Sequence, residues 1–165
     1  MNMLERIILA LAIALYAGLN AVQIIYFGPP FGASAAPDLR LTGYTPQEVH
    51  AFLEHIAGDG RAVFFGLFRT LDTVFPPVLA VALVIVLKRV RPEFGRSIIG
   101  LFSLLALGYM FADLVENKFL SDLETSQDFR RTASVASMMT TVKYGLLGFV
   151  FLCLSVAAVT KRRIK

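Results

Sequence analysis

A chain of 165 residues that is 56% hydrophobic and 17% charged, with a mean hydropathy of +0.67, is too apolar for a water-soluble domain and too uncharged for a disordered one. Its net charge of +4, from 16 Lys and Arg against 12 Asp and Glu, points in such a chain to membrane topology and not to nucleic acid. The lone Cys153 excludes an intramolecular disulfide and a CxxC pair, and His50 and His55 lie outside every apolar run, which argues against haem held by two histidines inside a membrane.

A span takes about 20 apolar residues. Four stretches qualify, 7–27, 62–87, 97–119 and 133–159, and they predict an all-α membrane protein, a single four-helix bundle covering 1–165. Arg6 and Ala33-Ser34-Ala35 around the first run imitate a signal peptide, but the apolar stretch is longer than the usual 7–15 residues of such a leader, so it is read as a true span. Segment 28–61 is the one long connection. Its first part, 28–43, is rich in Gly, Pro and Ala and should be irregular. Thr45-Pro46-Gln47-Glu48 then forms a capping box with proline in the first turn, and Val49, Phe52, Leu53 and Ile56 recur at helical spacing, predicting a short amphipathic helix over 46–57 on the outer membrane surface or over the bundle mouth. His50 and Glu54 on its polar face read as a solvated pair.

Lys88, Arg89, Arg91 and Arg96 lie between spans two and three, and Lys161, Arg162, Arg163 and Lys165 come after span four. These two segments fall on one side of a four-span chain. By the positive-inside rule that side is the cytoplasm, which puts both termini inside a bacterial inner membrane. The 28–61 segment, with Arg40 and Arg61 against Asp38, Glu48, Glu54 and Asp59, suits the outer side.

The informative residues are polar groups within the spans: Asn20 and Gln23 in the first, Arg69 and Asp72 in the second, Asp113, Glu116 and Asn117 in the third, Thr140 and Lys143 in the fourth. At 1.5 Å per residue they fall about 5–15 Å from the outer ends, one layer in the outer half. The other half, for example 78–87 and 146–159, is almost purely aliphatic. Asn20/Gln23, Arg69/Asp72, Asp113/Glu116 and Thr140/Lys143 are each i, i+3 and share a face. Five charges facing lipid unpaired would cost on the order of 12–17 kcal/mol, so they must converge inward and pair. Two cations then face three carboxylates, and the layer is either net negative or holds a protonated carboxyl. Pro76 and Pro77 free the carbonyls of Asp72 and Thr73 beside it. Ala133, Ser137, Thr141 and Gly145 form a small-residue stripe suited to close helix contact. The fourteen phenylalanines read as membrane-facing bulk.

This pattern predicts a site for a membrane lipid or a small apolar or amphipathic ligand, with Arg69, Lys143, Asn117, Thr140, Asn20 and Gln23 as binding residues. Asp113, Glu116 and Asp72 are the candidates for acid–base catalysis, since neighbouring carboxyls of different protonation can act as acid and base. Proton or ion transport and an accessory, register-fixing ion-pair network are the alternatives. Asp72, Asp113, Glu116 and Asn117 are oxygen ligands of a kind suited to a hard dication, but Arg69 and Lys143 would repel one, so no metal is expected. No Walker A, GxGxxG or zinc spacing is present, so no cofactor is expected either.

Gly43-Tyr44-Thr45, Gly60-Arg61, Asp72 with Phe75-Pro76, Asp113-Leu114-Val115-Glu116-Asn117 and Thr140 with Lys143 give the chain from Gly43 onward a motif spacing that resembles a small bacterial-type family of uncharacterised four-span membrane proteins. That family has no settled activity, so the resemblance implies the fold and little else. In layout the chain is also similar to compact four-helix membrane proteins that process sterols or quinones. It departs from the thiol-redox kind in lacking CxxC and from the sterol-isomerase kind in lacking an intramembrane histidine.

Overall fold

The structure, a computed structural model, describes residues 1–163; Ile164 and Lys165, the latter one of the basic residues that set the topology, lie outside the described residues. The described residues are helical, without a strand: α1 Met3–Val22, α2 Pro46–His55, α3 Asp59–Val63, α4 Arg69–Val90, α5 Arg96–Ser121 and α6 Phe129–Arg163. A π-helical turn, Gln23–Phe27, extends α1, and a second, Phe64–Phe68, fuses α3 to α4. Four continuous helices, Met3–Phe27, Asp59–Val90, Arg96–Glu124 and Phe129–Thr160, are thus long and apolar enough to cross a membrane. Each overlaps an apolar run found in the sequence and reaches beyond it by up to five residues.

The helices pack in chain order, α1 on α4, α4 on α5 and α5 on α6. Among the described residues no comparable packing joins α1 to α6, so the bundle has a seam. The exposed Arg89–Glu5 ion pair ties α1 to α4 at one end. At the other end Arg61 Nε meets Glu124 Oε1 at 2.9 Å.

The α2 helix begins where the capping box requires. The Thr45 hydroxyl accepts from the Glu48 N–H, and the Glu48 carboxylate accepts from the Thr45 N–H at 2.7 Å. Those bonds, with the Arg40 ion pair at 3.1 Å, hold the Glu48 carboxyl below its ordinary value. Val49, Phe52, Leu53 and Ile56 are buried, so α2 lays its apolar face over the mouth of the bundle. His50 and Glu54, 3.4 Å apart, stay exposed.

Two apolar cores flank a polar layer. Toward α2, Phe27 packs edge to face on Phe52, Phe64 and Phe68, and Phe52 on Phe64, at centroid separations of 5.1–5.8 Å. All four are at most 2% exposed, which overturns the reading of the phenylalanines as membrane-facing bulk for these positions. Three of the four lie in the π turns. A π turn adds a residue to the helix and rotates the residues beyond it, and here it sets these rings inward. At the far end Leu83, Leu87, Phe102, Val150 and Ala157 form a second core without polar groups.

The connection from α1 to α2 is more ordered than its composition predicts. It folds as two 3-10 turns, Gly32–Ser34 and Pro37–Leu39, and dips into the bundle. Gly43, at φ +80°, lies directly on α6, where an added Cβ would come within 2.7 Å of the Ser137 hydroxyl and 3.1 Å of that of Thr141. The small residues of α6 therefore receive this loop instead of another helix at that point. The Ser137 hydroxyl also accepts the Tyr44 N–H at 2.8 Å.

Candidate functional site

Two cations organise the polar layer. Arg69, at the junction of the second π turn and α4, is 4% exposed. Its Nη1 donates to Asn117 Oδ1 at 2.7 Å and to Asp72 Oδ2 at 3.3 Å, and its Nη2 donates to Asp38 Oδ2 at 3.1 Å. The guanidinium lies 4.5 Å from the Phe64 ring and 5.0 Å from that of Phe68, so the aromatic core caps its open face. Asn117 Nδ2 donates at 3.0 Å to the Asp72 carbonyl, the acceptor that Pro76 leaves without its helical donor.

Lys143 is the second centre. Its ammonium is 2.8 Å from Asp113 Oδ1 and 2.6 Å from Glu116 Oε2. The Tyr109 hydroxyl donates to Asp113 Oδ2 at 3.0 Å, and the Thr140 hydroxyl donates to Glu116 Oε1. Of the predicted residues, Arg69, Asp72, Asn117, Asp113, Glu116, Thr140 and Lys143 are therefore brought together, all buried and linked across α4, α5 and α6.

Asn20 and Gln23 are placed apart from that network. Gln23 is fully buried but serves the loop: its amide donates to the Gly28 and Ser34 carbonyls, each at 3.0 Å, and accepts the Ala36 N–H at 3.2 Å. Asn20 is half-buried and donates to the Tyr16 carbonyl of its own helix at 2.8 Å. The clamp made by Gln23 shapes the loop so that Pro37–Leu39 enters the bundle.

That entry adds a residue the sequence does not single out. Asp38 is 2% exposed and sits on Arg69. In the sequence it is one of four acids in a connecting segment. Its only distinguishing signal is a place after proline in an apolar stretch, Ala35-Ala36-Pro37-Asp38-Leu39. Tyr144 of α6 fixes the loop from below, donating to the Asp38 carbonyl at 2.9 Å. Burial alone would raise the Asp38 carboxyl, but Arg69 and then Lys143 outweigh it and hold it below the ordinary aspartate value. Tyr44 is pushed the other way, above the ordinary phenol value, by burial and then by Glu116.

The seam between α1 and α6 is a groove of about 700 Å³, floored by this layer and roofed by the loop. Asp38, Asp72, Asp113, Lys143, Tyr109 and Tyr144 line its polar end, with Asn20 at the rim. Its walls are apolar, among them Ile13, Tyr16, Phe75, Leu79, Leu147 and Phe151. Ile13 at 71% and Phe151 at 49% exposure mark where it opens sideways out of the bundle. Arg69, Asn117, Glu116 and Thr140 do not line it and act from behind. Of the three acid–base candidates read from the sequence, Asp72 and Asp113 line the groove, and Glu116 does not and instead meets Lys143. Among the described residues no three His, Cys, Asp or Glu side chains are grouped to hold a metal ion.

No known protein family, curated protein or solved structure matches the chain.

Proposed function

We propose that this is an integral membrane protein that binds a lipid-like or small amphipathic molecule taken laterally from the bilayer. The observation that carries the reading is the groove: about 700 Å³, open at the side through apolar walls and closed at one end by buried charged groups. Pockets of about 300–1,000 Å³ that are mainly apolar with a few convergent polar groups are the usual form of a small-molecule site. Intramembrane charges are costly and mark function more often than they stabilise. The walls would take the tail and the Asp38, Asp72, Asp113 and Lys143 end the head group.

Charge gives the orientation. Lys88, Arg89, Arg91 and Arg96 cluster at the end opposite α2, which supports termini in the cytoplasm, α2 on the outer face and residence in a bacterial inner membrane. The groove then opens to the outer leaflet. A transport reading finds no support beyond the layer, because Leu83, Leu87, Phe102 and Val150 fill the bundle from there to the far end.

Extraction of the purified protein and mass spectrometry of what comes with it test the proposal. Wild type should carry a stoichiometric amphiphile, and Leu147→Trp, which fills the groove without touching a charge, should lose it. A wild type that carries nothing and takes up no added amphiphile would leave the ion-pair network as a structural device and end the ligand reading.

A further inference from the structure

We propose that the head group this groove accepts is a cation, so that the ligand is a single-chain amphiphile ending in an amine. The inference rests on the groove being a ligand site and adds the ligand's charge. The buried ionisable pairs comprise four carboxylates, Asp38, Asp72, Asp113 and Glu116, and two cations, Arg69 and Lys143. Each cation already carries two carboxyls, so each cluster has one acid more than it has cations, and that acid must hold a proton or meet a further cation. An anionic head group would need an unspent cation on the groove. Arg69 does not line it, and Lys143 meets Asp113 and Glu116 at 2.8 and 2.6 Å.

A second observation locates the deficit. Asp38 Oδ1 is buried and receives no hydrogen bond from any protein N–H or hydroxyl, and Asp38 lines the groove beside Asp72. Both carboxyls converge on Arg69, one on Nη1 and one on Nη2, and lie against each other at the groove, a pair that a donor brought in can bridge. Two neighbouring carboxylates repel each other, and a donor cation between them relieves the repulsion. Tyr16, Phe75, Tyr109 and Tyr144 line the same groove, and the face of an aromatic ring attracts an ammonium. A volume of about 700 Å³ suits one chain or a drug-sized body.

The test compares three probes of equal length, dodecylamine, dodecanol and dodecanoate, titrated calorimetrically into the full chain in a nonionic detergent near neutral pH. The amine should bind at least about tenfold more tightly than either of the others, the discrimination expected from one charge-assisted hydrogen bond. Asp38→Asn and Asp72→Asn should each reduce that ratio toward unity. Alcohol or carboxylate binding as tightly as the amine in wild type would overturn the cationic assignment and leave the groove as a ligand site. Failure of all three to bind would overturn both. The wild-type series decides the matter even where a variant does not fold.

Discussion

Lys143 serves two acids at once: its ammonium meets Asp113 and Glu116 together, and both are buried. Lys143→Met keeps the length and apolar stem of the side chain and removes only the charge. It strands two carboxylates, and losing one partner of a buried pair costs about 3–5 kcal/mol. Thermal unfolding in detergent should show that loss, or a variant that does not accumulate folded. Adding Glu116→Gln to Lys143→Met should recover part of it, since one of the stranded charges is then gone and Thr140 can still donate to the amide oxygen. A double variant no more stable than the single one would show that the lysine acts by packing and not by charge. Lys143, like Arg69, Asp72, Asp113 and Glu116, was legible in the sequence because a charge inside an apolar run has no neutral explanation. Asp38 was not, because an acid in a polar connecting segment is unremarkable until tertiary structure buries it.

Element by element, the long helices were legible from their apolar runs and α2 from its capping box. The two π turns and the inward dip of the loop were not, since both depend on which rings meet, and phenylalanines drawn from three separate segments (Phe27, Phe52, and Phe64 with Phe68) carry no local signal of meeting. Proline gives a partial exception. Pro76 announces a freed carbonyl at Asp72, and the structure supplies the acceptor's partner, Asn117. Asn117→Ala should cost about 1–3 kcal/mol, since it strips a donor from that carbonyl and an acceptor from Arg69. In a Pro76→Ala background the helix can supply its own N–H, so the penalty of Asn117→Ala should shrink. A double-mutant cycle read by thermal unfolding measures the coupling, and strict additivity would mean that Asn117 serves Arg69 alone. The loop has its own test at Gly43. Gly43→Ala meets both a left-handed backbone, worth about 1–3 kcal/mol of strain, and the hydroxyls of Ser137 and Thr141. Gly32→Ala meets only the backbone conformation, at φ +67° with nothing within 4 Å. Maleimide labelling of Leu39→Cys should therefore accelerate clearly with Gly43→Ala and little with Gly32→Ala; equal rates would show that the loop is not held by its seat on α6.

At the scale of the whole molecule the decisive feature is the unclosed seam between α1 and α6, because it turns a four-helix bundle into an open groove. The sequence offers no view of it: apolar residues facing lipid, a ligand's tail or another helix are chemically alike. The absence of tryptophan makes the seam measurable, since any single introduced indole is a clean reporter. Phe151→Trp places that reporter on the groove wall, where the native side chain is 49% exposed, and Phe102→Trp places it in the closed far core, where the native side chain is 4% exposed. In bilayers whose acyl chains carry bromine, a quencher that acts at contact, Phe151→Trp should be strongly quenched and Phe102→Trp weakly. Saturating dodecylamine should then restore fluorescence at Phe151→Trp, because the bound tail displaces the brominated chain, and should leave Phe102→Trp unchanged. Quenching of Phe151→Trp that the amine does not relieve would mean that lipid and ligand do not share the groove. Weak quenching of both would mean that a partner or a second copy covers the seam, and lateral entry from the bilayer would fall with it.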